Sequence, residues 1–172
     1  TATGTSVVTG KYSNARSFNG TSDYVTVPRT SSLEPNVFTI STWLNPNSSQ
    51  STNYSRVIDK AHTDSDSKAT YEIILGTTSN PMAWMGTVRT NGGYQVGLSG
   101  TPFTANTWNH AAITFDGTYL RGYTNGALTF TQSITGSTLA YDSGNLSIGY
   151  SINYASNYFR GVIDEMKLYN VV

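Results

Sequence analysis

Trp108-Asn109-His110-Ala111-Ala112-Ile113-Thr114-Phe115-Asp116-Gly117 is the stretch on which the reading of this chain turns. A run of β-branched and aromatic residues ends there on an Asp-Gly pair, and a second such run, Tyr119–Thr124, ends on Asn125-Gly126. Both pairs tolerate positive φ at the two central positions of a tight turn, so they predict successive hairpins that continue into Ala127–Ile134. Outward from here, short runs rich in Val, Ile, Thr, Tyr and Phe recur between clusters of Gly, Asn, Ser and Pro, and helical periodicity is hard to find. The remaining predicted strands are Ala15–Asn19, Tyr24–Val27, Phe38–Leu44, Arg56–Lys60, Ala69–Leu75, Met82–Thr90, Tyr94–Leu98, Asn109–Phe115, Asn145–Gly149 and Tyr158–Tyr169. So many short strands exceed one flat sheet, which predicts an all-β, two-sheet antiparallel β-sandwich. Asn91-Gly92-Gly93 reads as a further turn, while Asn45 to Asn53 and His62 to Lys68 read as polar loops.

The chain has 172 residues with no repeat, linker or charge block, so residues 1–172 read as a single domain. Ten acidic and ten basic residues cancel, and charged residues make up only 12% of the chain, about half the usual share. That balance gives no support to a nucleic-acid or membrane partner. Ser, Thr, Asn and Gly supply the polar surface instead, which suits a secreted module that meets neutral polar molecules. Cysteine is absent, so the core must stand without disulfides. The ends, Thr1-Ala2-Thr3-Gly4 and Val171-Val172, read as those of a module excised from a larger extracellular protein.

Four further blocks accompany the opening stretch: Ser17-Phe18-Asn19-Gly20-Thr21-Ser22-Asp23-Tyr24-Val25, Phe38-Thr39-Ile40-Ser41-Thr42-Trp43, Tyr123-Thr124-Asn125-Gly126 and Phe159-Arg160-Gly161-Val162-Ile163-Asp164-Glu165. In this order they span nearly the whole chain, and the succession resembles the laminin G-like, concanavalin A-like jelly roll of the lectin-glucanase superfamily. The resemblance implies a binding domain. It also implies one structural calcium on Asp23 and Asp164, with Asn19 and Gly20 as carbonyl donors, because in such domains the first and last strands lie close together. Calcium takes six to eight oxygen ligands, which carboxylates and loop carbonyls supply. Residue by residue, the alternative is that Asp23 closes a turn and Asp164 pairs with a nearby cation. Asp64-Ser65-Asp66-Ser67-Lys68 begins like a helix–loop–helix calcium site, but lacks its turn glycine, closing glutamate and helical flanks.

The glucanases of this superfamily carry paired carboxylates on one strand. Glu34, Glu72 and Glu165 have no second carboxylate two or four residues away, and Glu165 follows Asp164 directly, so their side chains diverge on a strand. No Gly-x-Ser-x-Gly elbow is present. His110 reads as a hydrogen-bonded structural residue and His62 as a surface one. Catalysis is not expected. Asn-x-Ser/Thr sequences at Asn19, Asn47, Asn53 and Asn145 are what chance gives in such a composition.

Sugar recognition draws on aromatic faces and planar polar groups, and this chain has twelve tyrosines and three tryptophans. Trp43 and Trp108 read as core. Trp84 lies two residues before Gly86, which leaves room beside the indole on the same face. Should the strands bearing Tyr71, Trp84 and Tyr94 adjoin in the concave sheet, then Tyr71, Trp84, Arg89 and Tyr94 line a shallow groove; the other register makes Tyr71 and Trp84 core. A Tyr- and Asn-rich loop, Tyr150 to Tyr158, offers Tyr154 as a second contact surface, and Tyr54 and Arg56 belong to either site. The expected function is a non-catalytic, calcium-stabilised carbohydrate-binding module, covalently linked to catalytic or surface domains and partnered by a polysaccharide or oligosaccharide. The alternatives are a laminin G-like adhesion or protein-interaction domain and a ligand-free spacer.

Overall fold

A computed structural model describes residues 1–50, 54–61, 63 and 68–172. The readings made above for His62, Asn53 and Asp64 to Ser67 therefore lie outside the described residues. Among the described residues, fourteen strands and one short 3-10 helix, Ser31–Leu33, follow one another. They are β1 (Ala2–Thr3), β2 (Ser6–Thr9), β3 (Asn14–Asn19), β4 (Tyr24–Val27), β5 (Phe38–Pro46), β6 (Ser55–Lys60), β7 (Tyr71–Leu75), β8 (Trp84–Thr90), β9 (Gly93–Leu98), β10 (Asn109–Phe115), β11 (Tyr119–Thr124), β12 (Ala127–Ser133), β13 (Leu146–Ile148) and β14 (Arg160–Tyr169). The first sheet runs β1-β4-β13-β6-β7-β8-β9 and the second β12-β11-β10-β5-β14-β3-β2, with seven strands in each. Every recorded pairing is antiparallel, so the two-sheet sandwich is as expected. The two N-terminal strands were not foreseen; β1 and β2 are short, mostly exposed edge strands with little apolar periodicity.

Both predicted hairpins form. Asp116 accepts hydrogen bonds from the amides of Thr118 and Tyr119, and Gly117 takes φ +92°. At the next turn Asn125 and Gly126 both hold positive φ, 51° and 83°. The hairpins lead β10 to β11 and β11 to β12 down one flank of the second sheet.

Alternation along β5 is strict: Phe38, Ile40, Thr42 and Leu44 are buried, while the residues between them are only part-buried. They meet Tyr71, Ile73, Leu75, Trp84 and Val88 of the first sheet in one core. The Trp84 ring stacks on Phe103 at 5.2 Å between centroids, and its Nε1 donates to Thr124 Oγ1 at 3.0 Å, which ties the two sheets together. Phe130 of β12 reaches across to the indole at 5.6 Å. Three glycines make that reach possible. A Cβ on Gly122 would lie 2.0 Å from the Phe130 ring, one on Gly97 2.2 Å and one on Gly86 3.2 Å. The space beside Trp84 that Gly86 opens is therefore filled from within, by Phe130 and Ile113.

Overpacking a well-filled core typically costs about 1–3 kcal/mol. Gly97→Ala is expected to fall in that range by denaturant unfolding, and Phe130→Leu in the same chain is expected to return part of the loss, since the added methyl then has space. Equal destabilisation by Gly97→Ala in the wild-type and Phe130→Leu backgrounds would show that the ring and the glycine are not coupled.

Candidate functional site

Strand parity sorts the predicted binding residues. On β8, Trp84, Gly86 and Val88 point into the sandwich, so Met85, Thr87 and Arg89 stand on the outer face of the first sheet. On β7, Tyr71 is fully buried against Phe38 and donates through its hydroxyl to the Leu33 carbonyl at 3.0 Å. Tyr71 and Trp84 are thus core residues, and the groove built on them does not exist. The physical reason is register: Leu75 pairs with Trp84 and Tyr71 with Val88, which puts all four on the inner face. Arg89 pairs with Tyr94 on the outer face, yet it does not line the depression that Tyr94 lines.

That depression, about 490 Å³, is formed by Tyr54, Arg56, Ile74, Met85, Tyr94, Val96, Tyr154 and Asn157. Four of the predicted residues meet here. Its centre is Arg56, which is 6% exposed and charged. Burial opposes that charge, but Glu72 and Asp59 outweigh it and hold the guanidinium pKa above its ordinary value. Arg56 Nε donates to Glu72 Oε1 at 2.7 Å and Nη1 to the Tyr54 carbonyl at 2.5 Å. Glu72 Oε2 accepts from Thr87 Oγ1 at 2.8 Å and from the Tyr94 hydroxyl at 2.7 Å. Both carboxylate oxygens are therefore used, and the floor is a fixed, charge-balanced network. Burial, with Glu72 adding to it, pushes the Tyr94 pKa far up, so the phenol stays a donor.

Two rings rise from this floor. Tyr54 is 38% exposed and Tyr154 49%, with Tyr154 facing the Arg56 guanidinium at 5.6 Å. Their backbones are constrained. Tyr54 holds φ 61° and Asn157 φ 60°, and the Asn157 carbonyl accepts from the Arg56 amide at 2.9 Å. For tyrosine the left-handed region is an uncommon, costly conformation, of the kind that concentrates at binding sites. The loop that carries Tyr154 is anchored at its base by Tyr150, which stacks on Tyr158 at 5.3 Å and packs on Tyr24 at 4.6 Å.

Beneath the same loop lies a residue missed in the sequence, Asp59. It pairs in register with Glu72, so two carboxyl groups share one face on neighbouring strands. They do not make a catalytic cleft. Asp59 is fully buried, Glu72 is 1% exposed, and Glu72 is saturated with donors. The Asp59 carboxyl oxygens have no hydrogen-bond partner, although the nearby Ser151 hydroxyl favours the anion. Burial and then the Glu72 charge raise the Asp59 pKa from 3.8 to about 8, against the opposing pull of Arg56. The signal in the sequence was weak: Val57-Ile58-Asp59-Lys60 is an apolar strand with one acid in it.

The four residues chosen for calcium fall into two places. Asn19 pairs with Arg160 across β3 and β14, whereas Arg16 pairs with Ile163, so Asp164 lies near the opposite end of the strand, on the order of 10 Å from Asn19. Asp23 packs against Gly4 and Asp164 against Gly10, on either side of β2. Each carboxylate also has other work. Asp23 Oδ2 accepts from the Asn19 amide at 3.0 Å, while Asn19 Oδ1 accepts from Thr21, Ser22 and Asp23, closing the turn around Gly20 at φ +78°. Asp164 accepts from the amides of Tyr12 at 2.9 Å and Glu165 at 2.8 Å. As arranged, Asn19, Gly20, Asp23 and Asp164 do not fit one calcium ion, and no three acidic or histidine side chains among the described residues cluster to hold a metal.

Trp43 and Trp108 also depart from expectation. Parity with Phe38, Ile40 and Leu44 puts Trp43 on the outer face of the second sheet, where it and Trp108 are half-buried.

A family model described as the concanavalin A-like lectin/glucanase superfamily, laminin G type, matches residues 19–172. The chain belongs to this superfamily. No curated protein matches it by sequence. Among solved structures, domain 4 of AbnA, an extracellular arabinanase of family GH43 from Geobacillus stearothermophilus solved in complex with arabinotriose, is 21% identical with a TM-score of 0.73, over 97% of this chain and 75% of that one. The binding domain of Paraclostridial Mosquitocidal Protein 1 is 17% identical with a TM-score of 0.73, over 98% of this chain and 43% of that one. A putative carbohydrate binding protein from Bacteroides ovatus is 16% identical with a TM-score of 0.70, over 91% and 43%. The superfamily member described here therefore spans less than half of the last two chains, and at these identities the likeness establishes fold.

Two measurements check this description. Because the folded state keeps the Asp59 proton that the unfolded chain loses above pH 4, this group's contribution is full below about pH 4 and is lost as pH rises through 8. Asp59→Asn is expected to flatten that slope, gaining on wild type by on the order of 1–3 kcal/mol between pH 4 and 8 in chemical unfolding; parallel pH profiles would contradict it. Millimolar calcium is expected to leave the melting temperature within about 1 °C of its value in chelator, whereas a ligand bound well above its Kd raises it by several degrees.

Proposed function

We propose that this domain binds a neutral oligosaccharide without cleaving it, in the depression of Tyr54, Arg56, Tyr94, Tyr154 and Asn157. The observation that carries the reading is a pair of exposed tyrosine rings held over a buried, charge-balanced Arg56–Glu72 floor. Tyrosine faces suit the C–H patches of a sugar ring, and the fixed guanidinium and Asn157 amide suit hydroxyls. A floor whose charges already cancel favours a neutral ligand over an ion. Because ligand groups meet donors that are already in place, little ordering is left to be done on binding. The arabinotriose bound by the structurally similar arabinanase domain supports the same ligand class. The non-catalytic reading rests on the sealed state of the Asp59–Glu72 pair, which no substrate reaches. Secretion, and covalent linkage to a catalytic or surface domain, belong to the same proposal.

A second reading has one observation in its favour. Val96, at the wall of the depression, and Leu98 beyond it, 41% and 55% exposed, form an apolar strip on the edge strand β9, which suits a protein partner in the manner of laminin G-like adhesion domains.

Calorimetric titration against soluble arabinan, galactan, xylan and glucan oligosaccharides distinguishes the two. Saturable heat with one neutral glycan is expected, weakened about tenfold by Tyr154→Ala and by Tyr54→Ala, as loss of one stacking ring typically does. Absence of heat with every glycan, or affinity unchanged in both variants, overturns the reading and leaves the β9 strip as the candidate surface.

A further inference from the structure

The outer face of the second sheet carries an aromatic site that the first depression does not explain. Trp43 pairs in register with His110 and with Asp164, so the three share one face. The His110 ring meets the Trp43 indole at 5.2 Å, and Tyr12 meets it edge-on at 6.1 Å from the other side. Lys11 Nζ lies 4.8 Å from the centre of the Trp43 ring. Lys11, Trp43, Trp108, His110 and Asn125 enclose a depression of about 520 Å³. Trp108 is part-buried, lines this depression and makes no ring–ring contact among the described residues.

Asp164 builds this site. Its Oδ2 accepts from the Tyr12 amide, which folds residues 10–13 over the sheet and delivers Lys11 and Tyr12 to Trp43. Gly10 is required at the crossing, since a Cβ there would lie 2.5 Å from Asp164 Oδ2. Each Asp164 carboxylate oxygen accepts a hydrogen bond from the backbone, one from this loop and one from its own strand, and no ion pair engages Lys11 among the described residues. Burial pushes the His110 pKa down, leaving a neutral imidazole near pH 7. Asn125 spends its Oδ1 on the His110 amide at 2.8 Å, so its remaining hydrogen-bonding groups are the two N–H donors of Nδ2. The lining is rich in donors, carries one ammonium that no ion pair engages among the described residues, and includes no carboxylate.

We propose that this face binds a carboxylated sugar, a uronic acid residue of an acidic glycan. The sugar ring lies on Trp108, the Lys11 ammonium takes the carboxylate, and Asn125 and His110 take hydroxyls. One ammonium matches the single charge of a uronate, and a charge-assisted hydrogen bond is roughly twice as strong as a neutral one. A ligand that combines a carboxylate, hydroxyls and an apolar ring face satisfies every group in the depression. This site is separate from the Tyr54–Tyr154 depression, and the two stand or fall independently.

The test is fluorescence and calorimetric titration of the whole domain with tri-galacturonate and with uncharged galactotriose, for wild type, Lys11→Met, Trp108→Tyr and Tyr154→Ala. Tri-galacturonate is expected to bind saturably, to weaken about tenfold in Lys11→Met and in added salt, and to be indifferent to Tyr154→Ala. Lys11 is exposed, so Lys11→Met is expected to keep the wild-type melting temperature, which guards against a loss that only reports unfolding. No saturable binding of tri-galacturonate up to about 10 mM, unchanged affinity in Lys11→Met, or equal affinity for galactotriose at this face overturns the proposal. Failure of neutral sugars alone touches only the Tyr54–Tyr154 reading.

Discussion

The contact of Trp84 with Phe103, Phe130 and Thr124 sets the geometry of everything around it. A strand has two faces, and once the largest side chain of β8 is committed to the interior, Met85, Thr87 and Arg89 are committed to the outside. Thr87 then meets Glu72, Glu72 meets Arg56 and Tyr94, and the depression under Tyr54 and Tyr154 acquires its floor. The indole hydrogen bond to Thr124 and the reach of Phe130 across three glycines keep the sheets in the relative position that this network requires. The core thus fixes the site by excluding alternatives of register, since a slip of one residue would send Trp84 outward and dismantle the Glu72 network at the same step.

Polar groups are distributed along the same logic. Glu72 is buried with every oxygen used, and Arg56 is held charged by it, so the pair organises two exposed tyrosines without presenting net charge. Asp59, directly opposite Glu72, lacks such partners, and burial together with the Glu72 charge keeps it protonated. Of two carboxyl groups on neighbouring strands, one is met by three donors and the other by none. On the far sheet Asp164 serves yet another purpose, fastening the loop that carries Lys11 and Tyr12. Carboxylates chosen from sequence as metal ligands are, in the fold, devices that close turns and position loops.

The sandwich was legible because its evidence is repeated. Alternating apolar runs, Asp116-Gly117 and Asn125-Gly126 each act locally, and all of them agree. The faces of the tryptophans were misassigned although the information was present. Phe38, Ile40 and Leu44 occupy even positions of β5, so Trp43, at an odd one, had to point away from the core they form. Trp84, Gly86 and Val88 share a parity opposite to Thr87 and Arg89, which marks Trp84 as internal; the glycine beside it served an aromatic ring from β12, a partner that sequence alone does not bring near. The convergence of Tyr54, Arg56, Tyr94 and Tyr154 was partly anticipated, as exposed aromatics beside planar polar groups. Asp59 was not, because an acid inside an apolar strand becomes informative only when its cross-strand neighbour is known to be Glu72.

The central claim is that the Trp84-centred core holds a rigid outer-face site for a neutral sugar at Tyr54, Arg56, Tyr154 and Asn157. Amide chemical-shift mapping of the isotopically labelled domain, titrated with arabinotriose and its neutral homologues, addresses it most directly. The account predicts saturable shifts confined to residues 54–57, 72–74, 94–96 and 153–158, with the Trp84 indole signal unmoved. Shifts that centre on the indole of Trp84, or that spread over the interior of both sheets while leaving residues 153–158 untouched, would contradict it.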